Sequence, residues 1–216
     1  AAFWIHFRLQ SWDNLNFVLE IKVITMKTGL VLEGGALRTI FSAGVCDAFL
    51  DSGLPLPDYT IGVSAGIAYG VSYLSKQSRR NLQLVVHFAN DRRYMGWRNL
   101  ANPKNRSYFG LQFAYETIPN ELLPFDYDAF EAYPGEAEAV VTNLETGEAE
   151  YLPVPRRDDH NLVLQATCAL PLMFPVIWVG GKPYLDGGCA DFSSPETIAE
   201  AAATCEETLL DRYLAG

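Results

Sequence analysis

The pentapeptide Gly62-Val63-Ser64-Ala65-Gly66 places a serine between two glycines at the junction of two predicted elements. Residues 59–63 form an apolar stretch typical of a buried strand, and residues 65–74 have the pattern of a helix. This context matches the G-x-S-x-G nucleophile elbow, in which a strained turn exposes the serine hydroxyl. A purely structural strand-to-helix turn is the alternative, but the elements on both sides favour a nucleophile.

A second candidate is the loop Gly34-Gly35-Ala36-Leu37-Arg38, which follows a short apolar strand at residues 30–32. A glycine turn that opens a helix exposes several backbone N–H groups, and these can bind a phosphate or a tetrahedral oxyanion. A dinucleotide site would need the pattern G-x-G-x-x-G and an acidic residue at the end of the second strand. The second strand ends in Ser64 instead, which favours an oxyanion hole.

A serine hydroxyl needs a neighbouring base before it can attack an ester. His6 lies in the N-terminal segment, His87 lies in the middle of a predicted helix, and His160 lies in a polar loop, so none of the three is a good candidate. A partly desolvated carboxylate is the remaining economical choice. The segment Asp186-Gly187-Gly188 offers one, although an Asp before two glycines is often only a turn.

The elements around these residues alternate in a way that predicts a parallel sheet with helices on its faces. Residues 94–135 are turn-rich and aromatic, and two hairpins follow, the second of which ends at Asp186. We predict strands at 30–32, 59–63, 139–143, 149–152, 176–179 and 182–185, and helices at 40–50, 65–74, 78–93, 126–132 and 161–169.

Composition narrows the function classes. The chain has 216 residues, is 49% apolar and carries a net charge of −10, so a single globular domain is expected and a basic nucleic-acid binder is disfavoured. The four cysteines show no CxxC spacing, which gives no support to a zinc site and indicates reduced, buried thiols in a cytoplasmic protein. No apolar run reaches the ~18–20 residues of a membrane span. We expect no metal and no cofactor.

The two ends of the chain differ from the rest. The first methionine is Met26, directly before the first strand, and residues 1–25 show neither strand alternation nor a capped helix. We interpret 1–25 as an extension outside the native fold, with an amphipathic helix over the sheet as the alternative. Residues 28–195 would form the catalytic domain, and residues 196–216 a divergent helical stretch.

In their order along the chain, these motifs resemble those of the patatin-like phospholipases. The resemblance rests on Leu32-Glu33-Gly34-Gly35-Ala36-Leu37-Arg38, on the serine pentapeptide and on Asp186-Gly187-Gly188. The segment Gln165-Ala166-Thr167-Cys168-Ala169-Leu170-Pro171 is similar to the family's sequence shortly before the Asp. The segment Ile118-Pro119-Asn120-Glu121-Leu122 and the hairpin at 140–151 are similar to a bacterial subgroup.

The resemblance implies a three-layer α/β/α fold with a mostly parallel central sheet and a lipid acyl hydrolase. It also implies a catalytic dyad of Ser64 and Asp186 without histidine. Backbone N–H groups of Gly34, Gly35 and Ala36, with Arg38, would form the oxyanion hole, and Gly62, Gly66, Gly187 and Gly188 would support the motifs. The substrate would be a lipid or phospholipid.

The family usually has glycine at the two positions where this chain has Ala36 and Thr39. A Cβ at a position with positive φ costs about 1 kcal/mol. The family's continuation after Ser194-Pro195 is not recognisable, so the chain looks truncated at its C-terminus.

Two other functions stay open at this stage. An α/β-hydrolase esterase could use Ser64, His160 and either Asp126 or Asp128. A non-catalytic lipid- or protein-binding remnant would explain Ala36 and Thr39.

A local excess of basic residues interrupts the acidic chain between residues 76 and 106. Eight basic residues and one acid, Asp91, occur there, with Tyr94 and Trp97 interleaved. A solvated helix face with loop charges is the ordinary interpretation. We offer transient peripheral contact with a membrane surface as a hypothesis. The basic residues are Lys76, Arg79, Arg80, Arg92, Arg93, Arg98, Lys104 and Arg106.

Overall fold

The computed structural model describes residues 27–101 and 107–190. The predicted extension at 1–25 and the predicted helical stretch at 196–216 lie outside these residues. The strands of the described part are β1 (Gly29–Leu32), β2 (Tyr59–Val63), β3 (Glu136–Asn143), β4 (Ala149–Pro153), β5 (Ile177–Val179) and β6 (Lys182–Asp186). The α-helices are α1 (Ile40–Asp51), α2 (Ala65–Leu74), α3 (Arg80–Phe88), α4 (Tyr127–Glu131) and α5 (Leu162–Thr167).

All six strands belong to one mixed sheet. β1 pairs with β2, and β2 with β3, in parallel, as expected where a helix connects successive strands. The two predicted hairpins are present, and they pair β3 with β4 and β5 with β6 in antiparallel fashion. β6 also runs antiparallel to β3. β1, β2, β3 and β5 therefore point one way and β4 and β6 the other, so the strands are mostly parallel in direction.

The register of β3 brings the ends of β2 and β6 together. Residues 138–140 of β3 pair with both β2 and β4, and residues 141–142 pair with both β4 and β6. A strand has only two edges, so β2 and β6 must share the edge opposite β4. β2 ends where Val63 pairs with Val140, and β6 ends where Asp186 pairs with Val141. The residue after β2 and the last residue of β6 therefore meet along one edge of β3.

The main core lies between the sheet and its helices. Helix α2 is buried except at Ala68, and its Ile67 and Leu74 are fully buried in one cluster with Ala137 and Ala139 of β3 and Phe130 of α4. On the opposite face of the sheet, Tyr59, Ile61 and Val140 form a smaller cluster that includes no residue of a described helix. The second helical layer of the expected sandwich therefore stays a prediction.

The predictions for two helical regions were wrong in detail. The helix predicted at 78–93 spans only Arg80–Phe88, because Arg79 adopts a left-handed conformation with φ 59° and a turn follows at Asp91. The turn-rich region contains an unpredicted π-helix, Phe113–Leu122. Its buried residues Phe113 and Ile118 are five positions apart, the spacing of π turns, so a search at 3.6 residues per turn misses it. No helix within the described ranges has the length and apolarity needed to cross a membrane.

Candidate active site

Ser64 lies at the sharp turn between β2 and α2. Its backbone has φ 53° and ψ −132°, a conformation that L-residues rarely adopt, and the residue is buried. Its N–H donates a hydrogen bond of 2.8 Å to Oγ1 of Thr167, and that hydroxyl donates a bond of 2.6 Å to the carbonyl of Val140. Thr167 therefore holds the strained turn against β3.

Asp186 lies beside Ser64 because β2 and β6 pair with the same edge of β3 and their C-terminal ends meet there. The residue is 2% exposed, and its Oδ1 accepts a hydrogen bond of 2.9 Å from the N–H of Gly188. Its Oδ2 is buried and has no hydrogen-bond partner among the described residues. The backbone of Asp186 is fixed by a bond from its N–H to Ala169 O (2.9 Å) and one from Thr142 Oγ1 to its carbonyl (2.7 Å).

Burial raises the pKa of Asp186 above its ordinary value, because a carboxylate loses its hydration in this position. The hydroxyl of Ser64 and the N–H of Gly188 are close enough to lower that pKa in part. The structure thus brings the two predicted catalytic side chains together.

The predicted oxyanion loop lies directly against Ser64. A Cβ built on Gly34 would lie only 3.0 Å from the Cβ of Ser64 and 3.1 Å from the carbonyl of Val63. Gly35 accepts a backbone hydrogen bond of 3.0 Å from Arg38, which begins the 3-10 helix Ala36–Thr39. Ala36 has φ 50°, so its backbone carries the strain that the sequence predicts for a residue other than glycine at this position. Thr39 has φ −61° and carries no such strain. The Arg38 side chain is exposed at the mouth of the neighbouring pocket.

The predicted supporting glycines lie where backbones approach closely. A Cβ at Gly66 would lie 2.4 Å from the carbonyl of Leu32, so α2 could not pack as closely on β1 with any other residue there. Gly62 faces the backbone of Ile67 in the same turn, and Gly187 lies against the carbonyl of Val140. Gly188 supplies the N–H that binds Asp186.

A largely apolar pocket opens beside Ser64. Its volume is about 430 Å³, within the range of ligand-binding cavities. Near the serine it is lined by Cys168 and by Tyr115 of the π-helix. Burial raises the pKa of the Cys168 thiol to about 12, so the thiol is protonated at neutral pH and is not a competing nucleophile. Its other apolar lining residues include Val71, Leu84, Ile118, Phe125, Phe130, Val154 and Leu164.

Three contributors to this site were missed from the sequence. Thr167 lies in a segment noted only for its family likeness, and its role depends on a contact with Ser64, 103 positions away. The π-helix and Arg80 also line the pocket, although Arg80 was assigned to a basic surface. The 3.6-residue and 2-residue periodicities used on the sequence carry no signal for such long-range contacts.

The alternative triad is not assembled. The imidazole Nδ1 of His160 lies 2.9 Å from Glu116 Oε1, and the ring is 67% exposed. Asp126 caps α4 by accepting from the N–H of Ala129, and Asp128 forms an ion pair with Arg157. The described hydrogen bonds and ion pairs join neither aspartate to His160, and His160, Asp126 and Asp128 do not line the pocket. Among the described residues, an aspartate and not a histidine lies beside the serine.

The basic segment is not one continuous charged surface. Arg80 is buried, and Arg93 forms an ion pair of 2.8 Å with Asp91 and lies over the ring of Phe113. Arg92 and Arg98 are exposed, as is Trp97. Lys104 and Arg106 lie outside the described residues. Within the described ranges, no group of three or more His, Cys, Asp or Glu side chains is arranged to hold a metal ion.

Comparison with known proteins identifies the family of the chain. The chain is 23% identical over 197 residues to YjjU, an uncharacterised protein of Escherichia coli (strain K12), and the match covers 85% of this chain and 51% of that protein. The chain thus spans about half the length of this curated relative. The family model for patatin-like phospholipase matches residues 30–199, which is well over half of the chain. The chain belongs to the patatin-like phospholipase family.

Proposed function

We propose that this chain hydrolyses carboxylic esters of lipids, with Ser64 as the nucleophile and Asp186 as the general base. The observation that carries the proposal is that the Ser64 hydroxyl lies close enough to the buried Asp186 carboxylate to lower its pKa, while Oδ2 of that carboxylate has no hydrogen-bond partner among the described residues. A buried acceptor without a partner is costly, and sites that retain one commonly use it in chemistry. Hydrogen bonds between a nucleophile and its base are often long before substrate binds.

In the proposed reaction, Oγ of Ser64 attacks the ester carbonyl and its proton moves to Oδ2 of Asp186. The oxyanion accepts hydrogen bonds from the N–H groups of Gly34, Gly35 and Ala36, with Arg38 nearby. The N–H of Ser64 is already bound to Thr167 and so does not contribute. Collapse of the tetrahedral intermediate breaks the ester C–O bond, and the leaving alcohol takes the proton from Asp186. Water, activated by the same carboxylate, then hydrolyses the acyl-enzyme.

The pocket supports a lipid as the acyl donor. Its walls are mainly aliphatic and aromatic, and it begins at Ser64, so an acyl chain entering it would place its ester carbonyl at the serine. The burial of apolar surface contributes to binding in proportion to the area removed from water. The identity of the head group does not follow from this pocket.

Labelling with a fluorophosphonate probe tests the nucleophile. We expect the wild-type chain to be labelled and Ser64→Ala to be unlabelled, with hydrolysis of p-nitrophenyl decanoate lost in the same variant. His160→Ala should retain both, because its ring contacts Glu116 rather than the dyad. An unlabelled but folded wild-type chain would instead support the non-catalytic remnant, and loss of activity in His160→Ala would support the esterase triad.

We also infer transient contact with membrane surfaces through Arg92, Arg98 and the neighbouring Trp97. These side chains are exposed, and Trp97 is 77% exposed, which is unusual for a tryptophan in a soluble surface. The double variant Arg92→Glu and Arg98→Glu should bind more weakly to vesicles that contain phosphatidylserine. Equal binding by the wild type and the variant would rule out this surface.

A further inference from the structure

Arg80 is a buried cation in the wall of the pocket that contains Ser64. The residue is 8% exposed, and its guanidinium lies 5.4 Å from the ring centre of Phe125, which also lines the pocket. Its Nη2 donates to the carbonyl of Leu123 at 2.8 Å, and its Nη1 makes a long contact of 3.5 Å with Oγ of Ser72. Its Nε has no partner in the described part of the chain.

This cation has no anionic partner among the described residues. Among the ion pairs within 4.0 Å that the described residues form, none includes Arg80. Burial lowers the pKa of the Arg80 guanidinium to about 10, so the group still carries its charge at neutral pH. A buried charge is costly unless it is paired, and arginine has a planar donor fork suited to a carboxylate. The arrangement therefore lacks one negative charge.

The charged residues that line the pocket are both basic. They are Arg38, in the oxyanion loop, and Arg80, and no Asp or Glu of the described residues lines the pocket. The chain as a whole carries a net charge of −10, whereas the charged side chains of this lining are positive. A purely hydrocarbon ligand would leave the Arg80 guanidinium uncompensated, whereas a ligand with an anionic end would neutralise it.

The contacts of Arg80 give an approximate distance between such an anion and the reacting carbonyl. Nη1 of Arg80 lies 3.5 Å from Oγ of Ser72 in helix α2, and Ser72 follows Ser64, the residue before that helix, by eight positions. Eight residues of α-helix correspond to a rise of about 12 Å. That span is comparable to an extended chain of about ten carbons and is longer than the separation between the ester and the phosphate of one glycerophospholipid.

We propose that Arg80 forms a carboxylate subsite at the far end of the acyl pocket, so that the site accepts acyl chains of about ten carbons that end in a second carboxylate. The proposal rests on the function proposed for Ser64. The apolar walls hold the methylene chain, and the Arg80 fork replaces the hydration of the terminal carboxylate. A carboxylate could also come from a free fatty acid bound in the opposite direction, and the test separates the two.

The primary test compares two ester pairs in the wild-type protein. The ten-carbon pair is p-nitrophenyl decanoate and mono-p-nitrophenyl sebacate, and the four-carbon pair is p-nitrophenyl butyrate and mono-p-nitrophenyl succinate. We expect the ratio of kcat/KM, carboxylate over neutral, to be at least 10-fold higher for the ten-carbon pair, because the succinate is too short to reach Arg80. Equal ratios for the two lengths overturn the subsite.

Variants then assign the effect to Arg80. Arg80→Met should lower the ten-carbon ratio by about 10- to 100-fold, the usual effect of a charged hydrogen bond, and Arg80→Lys should retain part of it. Arg79→Met is the matched control, because Arg79 is next to Arg80 in the chain but its side chain is 70% exposed. This variant should leave the ratio unchanged. A fall of both ten-carbon esters by the same factor in Arg80→Met would show a structural role and overturn the proposal.

Binding to the Ser64→Ala protein separates this inference from the catalytic one. Monomethyl sebacate should raise its thermal unfolding temperature more than methyl decanoate does, and the difference should vanish in the double variant with Arg80→Met. This outcome would support the subsite even if the wild type hydrolyses neither ester. Stabilisation by decanoate that depends on Arg80, without any by monomethyl sebacate, would assign the carboxylate to a free fatty acid and overturn the proposal.

Discussion

Thr167→Val is the substitution that most directly tests how the fold holds the nucleophile. Valine has nearly the shape of threonine but lacks the hydroxyl that accepts from the N–H of Ser64 at 2.8 Å and donates to Val140 O at 2.6 Å. Both partners lie in the interior, and Thr167 itself is fully buried, so water cannot replace the lost bonds. The change leaves one buried donor and one buried acceptor less well satisfied.

The expected cost is about 1–3 kcal/mol for a buried donor left without a partner. For a domain of this size that corresponds to a decrease in Tm of about 2–4 °C per kcal/mol. Relaxation of the turn at Ser64, whose φ of 53° is held by this bond, should also displace Oγ from Asp186. We expect kcat to fall about 10-fold or more with little change in KM, because Thr167 does not line the pocket.

The assay is hydrolysis of p-nitrophenyl decanoate together with thermal unfolding of each variant. Thr167→Ser retains the hydroxyl and should recover most of kcat. Thr60→Val is the matched control, since Thr60 is equally buried on β2 but its hydroxyl contacts Tyr133 at 3.5 Å, away from the site. If Thr167→Val keeps its kcat, or if Thr167→Ser loses as much as Thr167→Val, then Thr167 does not position the nucleophile.

Three further predictions concern strain and charge at the site. Ala36→Gly should raise the free energy of unfolding by about 1 kcal/mol, because Ala36 has φ 50°. Thr39→Gly should lower it, because Thr39 has φ −61° and carries no such strain. If calorimetry finds both changes destabilising, Ala36 is not strained. Asp186→Asn should abolish turnover yet raise Tm at pH 7. The raised pKa of Asp186 means that its contribution to stability is full below the unfolded value of 3.8 and is lost as the pH rises through the folded pKa. For the same reason, kcat/KM should increase with pH through a value above the ordinary range of an Asp, and a midpoint below 3.8 would exclude Asp186 as the base.

Local sequence patterns were sufficient to predict the strands and the helix that carry the motifs. The strand at 59–63 and the helix at 65–74 coincide with β2 and α2, because an uninterrupted apolar run between a proline-rich loop and a glycine-containing elbow has few other conformations. Both hairpins were also predictable, since their turns carry glycines that adopt positive φ, at Gly147, Gly180 and Gly181. The order of the motifs was enough to indicate the family, which the family model bears out.

The tertiary structure alone decided how these pieces meet. Strand pairing is a long-range property, so only the register of β3 reveals that β2 and β6 share one of its edges and face each other with Ser64 and Asp186 at their ends. The roles proposed for the Thr167 hydroxyl and the Arg80 guanidinium depend on neighbours that are distant in the chain. Sequence periodicity indicates which face of an element is apolar. The partners of a buried polar group depend instead on the packing between elements. The chemistry proposed for this chain depends on that packing.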